Sequence, residues 1–69
     1  MNQQDATEMR DHGLRAIEQL SDILNIALEK CPPEQYEEVK RGVGLSIGRI
    51  QTELLDVIYG AYPELDHLK

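Results

Sequence analysis

The chain has 69 residues, a net charge of −6, a single Cys, two His, and neither Phe nor Trp. A lone core in so short a domain rarely supplies more than ~3–5 kcal/mol, so a disulfide, a metal or association usually reinforces it. One Cys excludes an intrachain disulfide, and one Cys with two His cannot complete a tetrahedral structural zinc site, which leaves association.

Charge is spread evenly. Residues 1–31 hold six acids and three bases, and residues 32–69 hold seven acids and four bases, so each half is −3. There is no basic arm of the kind that marks a generic polyanion binder. Met1–Asp5 has neither the basic nor the apolar segment of a signal peptide, and no apolar run approaches the ~18 residues of a membrane span. The expectation is a cytoplasmic protein, consistent with its single Cys.

The periodicity predicts a first helix over about residues 6–30. Thr7 is its candidate N-cap, with Glu8 and Asp11 near the positive end of the dipole. Met9, Gly13, Ala16, Ile17, Leu20, Ile23, Leu24, Ala27, Leu28 and Cys31 recur at steps of three and four. At 100° per residue they cover one face of about 140°. Cys31-Pro32-Pro33 then breaks the pattern, because proline removes an N–H and pushes its predecessor out of the α region.

A second helix is predicted over about residues 34–60, with Pro33 and Glu34 suited to its first turn. Its stripe is Tyr36, Val39, Val43, Ile47, Ile50, Leu54, Val57, Ile58 and Ala61. Gly42, Gly44 and Gly48 each cost about 1 kcal/mol relative to Ala, and could mark a break. The stripe keeps its phase through them, which favours a continuous helix. Gly60 and Tyr62-Pro63 are the stop, and residues 61–69 form a loose tail. The short turn makes the helices antiparallel.

The fold class is therefore all-α, an antiparallel two-helix hairpin expected to dimerise into a four-helix bundle. The apolar faces are wider than one seam can cover, which calls for a second copy or a protein partner. The interface is expected to comprise Ile17, Leu20, Leu24, Leu28, Val43, Gly44, Ile47, Gly48, Ile50, Leu54, Leu55 and Ile58. Gly44 and Gly48, with Gly13, Ala16 and Ala27, would allow close helix packing.

The residues that could carry chemistry form no convincing set. Cys31 stands at the C-terminal end of a helix, where the dipole disfavours a thiolate, and reads as a buried structural thiol. His12 lies 19 residues earlier, about 28 Å along the same helix. Glu8 and His12 share an i,i+4 spacing, but helix two has no matching inward pair for a metal. His67 falls in the tail. Arg49 borders the glycines and is expected to pair with Glu53. No catalytic, cofactor or metal site is assigned, and the chain is not expected to be an enzyme.

Cys31-Pro32-Pro33-Glu34-Gln35-Tyr36, set between two helices, resembles over six residues the turn of the small two-helix chaperones of type III secretion. That resemblance implies a chaperone that masks a subunit with its apolar face. The outline is also similar to that of plasmid-encoded hairpin dimers that bind paired RNA loops, which implies an RNA-binding regulator. The leading expectation is a non-enzymatic interaction module that binds or masks another protein, with nucleic acid and membrane disfavoured as partners.

Overall fold

Asn2 sets the start of the first helix. It has extended backbone, and its side-chain oxygen accepts the N–H of Asp5 at 2.8 Å. In the computed structural model, which describes residues 1–66, helix α1 runs Gln3–Lys30. The helix thus begins earlier than the spacing suggested, and Thr7 is not its cap. The Thr7 hydroxyl lies inside the helix and donates to the Gln3 carbonyl at 2.8 Å. At the other end Cys31 is extended, and its N–H donates to the Ala27 carbonyl.

Helix α2 spans Pro33–Arg49, followed without a break by a π segment, Ile50–Leu55, and by helix α3, Asp56–Ala61. Arg49, Ile50, Leu55 and Asp56 all keep right-handed helical angles, so these three pieces form one continuous arm. Gly42, Gly44 and Gly48 do not interrupt it, and no glycine has a positive φ. Gly60 is accordingly no left-handed cap. The stop comes from the extended Tyr62 and from Pro63, which opens a single 3-10 turn, Pro63–Leu65.

The irregularity lies downstream of the glycines, where the sequence predicted a regular helix. The Asp56 N–H donates to the Gln51 carbonyl five residues back, one residue farther than in an α-helix. The Thr52 hydroxyl donates to the Gly48 carbonyl at 2.9 Å, adding a donor where the ladder changes its step. One extra residue in the turn rotates all that follows by roughly 100°. The stripe Val43, Ile47, Ile50 therefore continues to Leu55, Ile58, Tyr59 and Tyr62 rather than to Leu54, Val57 and Ala61. Leu55 and Ile58 are buried, whereas Leu54 is 47% and Val57 64% exposed.

The tail is not loose up to Asp66. Leu65 is buried in a cluster with Ala6, Leu55 and Ile58, flanked by Ile17, Ile50, Tyr59 and Tyr62. The Tyr62 hydroxyl donates to the Met1 carbonyl at 2.6 Å, which ties the end of the second arm to the start of α1. Residues 67–69, including His67, lie outside the described residues. Towards the turn the seam is thinner, with Ala27 and Val43 as its buried residues.

The arms approach closely at Gly13. A Cβ there would stand 2.9 Å from the Leu55 Cδ2, in contact with a side chain that is itself only 3% exposed. At Gly42 a Cβ would meet nothing within 4 Å. Gly42→Ala should therefore raise the unfolding free energy by about 1 kcal/mol through helix propensity. Gly13→Ala should lose that gain to crowding and end net destabilised by about 1 kcal/mol. Urea unfolding followed by circular dichroism checks both signs. The same measurement tests the π segment. Leu55→Ala should cost roughly 2–4 kcal/mol and Leu54→Ala less than about 1 kcal/mol, and a regular α register would reverse the order.

Candidate interaction surface

An open cleft of about 450 Å³ lies on one flank of the hairpin. Arg10, Leu14 and Ile17 of α1 form one wall, and Gln51, Leu55, Asp56 and Tyr59 of the second arm form the other. Leu65 and Asp66 close its end. The π segment creates this cleft, because it turns Leu55 and Tyr59 towards α1 and leaves room between the arms beside them.

Arg10 is the polar residue that holds this end together, and the sequence reading passed over it. Its side chain is 13% exposed, and both its Nε and one terminal nitrogen donate to the Asp11 Oδ1, at 3.1 and 2.9 Å. Its other terminal nitrogen donates to the Leu65 carbonyl at 3.1 Å, across 55 residues of chain. Its spacing was the only signal in the sequence. Arg10 stands four residues after Ala6 and three before Gly13, both buried, so it had to lie beside the seam.

The expected interface residues fall into three groups. Val43, Leu55 and Ile58 are buried within the hairpin. Ile17, Leu20, Leu24, Ile47, Gly48 and Ile50 are half-buried. Leu54, Leu28 and Gly44 are exposed, Leu28 at 64%. Gly44 and Gly48 make no close contact inside the hairpin, since a Cβ at either would meet nothing within 4 Å. Of the small residues expected to allow close packing, Gly13 does so within the chain.

Among the described residues no three His, Cys, Asp or Glu are grouped so as to hold a metal. Cys31 is half-buried beside the turn, while His12 is exposed and far along α1. Arg49 is 80% exposed and lies 3.8 Å from Glu53, a surface pair worth little. No helix of the described residues is long and apolar enough to cross a membrane.

What remains distinctive is the amount of apolar surface left open. No large side chain among the described residues is fully buried, and Met9, Leu14, Ile23, Ile26, Leu28 and Leu45 join Leu54 and Val57 as exposed hydrophobics. No protein-family model matches this chain, and neither does any curated protein or solved structure.

Arg10→Ala should free the Leu65 carbonyl and cost roughly 1–2 kcal/mol of local stability. Amide hydrogen exchange should then accelerate at Leu65 and Asp66, whose N–H groups donate to Tyr62 and Pro63, with little change in α1 near Ala27.

Proposed function

We propose that this chain is a non-enzymatic helical interaction module that pairs with a second copy to form a four-helix bundle, and that the bundle binds or masks another protein. The observation that carries the reading is surplus surface. A monomeric protein of 7.9 kDa is expected to expose about 4,400 Å². The hairpin exposes 5254 Å², a consequence of its 45 × 19 × 16 Å shape. The excess, about 850 Å², is close to the roughly 800 Å² that each partner buries in a stable interface.

Composition supports the same reading. The exposed hydrophobics lie along both arms, as they do on helices taken from a larger bundle. With both arms net acidic, a protein partner fits better than RNA.

Light scattering on the eluting protein should give about twice 7.9 kDa at micromolar concentration. Ile47→Asp, at a half-buried position, should return the mass to one chain and remove most of the helical circular dichroism. A fully folded single-chain species, for the native protein or for this variant, would overturn the reading.

A further inference from the structure

We infer that the second arm downstream of Ile50 has two registers one residue apart, and that the π segment is the element that converts one into the other. The inference concerns each chain by itself and does not rest on pairing. A shift of one residue turns a helix by about 100°, so each core residue is replaced by the one before it. Leu54 then takes the place of Leu55, Val57 that of Ile58, Ile58 that of Tyr59 and Ala61 that of Tyr62. Every replacement is apolar. An ordinary amphipathic helix turned in this way would bring polar residues to the core. Here a second apolar row, with Leu54 47% and Val57 64% exposed, stands beside the buried one.

The π turn makes the shift available. It holds one residue more than an α turn, and an α turn here moves the Asp56 N–H from the Gln51 carbonyl to that of Thr52. What selects the observed register lies beyond the turn. The Tyr62 hydroxyl donates to the Met1 carbonyl at 2.6 Å, Leu65 is buried, and Arg10 donates to the Leu65 carbonyl at 3.1 Å. In the other register Ala61 stands where Tyr62 was, and Glu64, which is exposed, falls in the place of Leu65. The apolar correspondence ends there. The tail is therefore a latch on the π register. With the latch open, Leu55 and Tyr59 turn out of the cleft, and its wall is rebuilt from Leu54 and Ile58.

Helix register shifts fall in the μs–ms range, which NMR relaxation dispersion reads. The native chain should show exchange running through residues 51–62 and unchanged on dilution, which separates it from association. Tyr62→Phe removes one hydrogen bond of the latch and should raise the minor population about five-fold. Leu54→Glu changes an exposed side chain in the observed register but sets a carboxylate against Gly13 in the other. It should keep the helical signal and abolish the exchange, in the native and the Tyr62→Phe backgrounds alike. Deletion of Glu53 reaches the same end by another route. It leaves a regular α-helix that carries the observed core face, and it too should show no exchange. Exchange confined to residues 62–66 is fraying of the tail and overturns the inference. So does exchange that survives either variant or disappears on dilution, or its absence from both the native and the Tyr62→Phe chains.

Discussion

Where α1 has no side chain, at Gly13, Leu55 of the opposing arm comes in so closely that even a Cβ would crowd it. A regular α-helix running on from Ile50 would present Leu54 at this point. The π segment inserts one more residue and presents Leu55. The exchange of one leucine for another is nearly neutral; the difference accumulates downstream. In the α register Val57 and Ala61 would follow on the core side, whereas in the observed register Tyr59 and Tyr62 do. Two aromatic side chains carry far more apolar area than a valine and an alanine. Tyr62 also ties the second arm to Met1, and Leu65 reaches the core just beyond it. The cost of one irregular turn is set against an entire end of the hairpin.

That end is nevertheless thin. Its buried residues are Ala6, Leu55, Ile58 and Leu65, and the turn end adds only Ala27 and Val43. Two helices meet along one seam, and a seam lined by Ala and Gly brings the backbones close while removing little apolar area from water. Polar contacts help locally. Arg10 satisfies the Leu65 carbonyl with a charged donor, but a latch at one end cannot shield leucines along a 45 Å rod. The constraint that limits the isolated hairpin is geometric: a long body with a narrow seam has too much surface for its mass.

The sequence carried the hairpin clearly, because the periodic stripe of α1 and the Pro32-Pro33 step each have a single reading. Continuity through Gly42, Gly44 and Gly48 was also readable from unbroken phase. Three features were not. The Asn2 cap was hidden because Thr7 offered an equally good local signal, and caps are chosen by where packing begins. The π segment was hidden because Leu54 and Leu55 are adjacent, so both registers look apolar and only tertiary contact at Gly13 separates them. Arg10 was hidden because a cation beside an apolar stripe ordinarily extends to water, and its acceptor is the carbonyl of a residue 55 positions away. Within the hairpin the register buries Leu55 and leaves Leu54 exposed, and the apolar face of the second arm turns with them.

The two apolar stripes of the second arm also connect the local fold to association. Leu55 and Tyr59 line the cleft in the π register; an α register would rotate them away and bring Leu54 and Ile58 round in their place. The cleft and the irregular turn are therefore one structural state. A ligand shifts a conformational equilibrium only by its differential affinity for the two states. Any molecule seated in the cleft would bind the π register alone, so its binding free energy would add directly to the preference for that turn. The irregularity that looks like a local defect in the hairpin is then the feature that shapes its cleft, and Leu54 and Val57 are left exposed on the outer face.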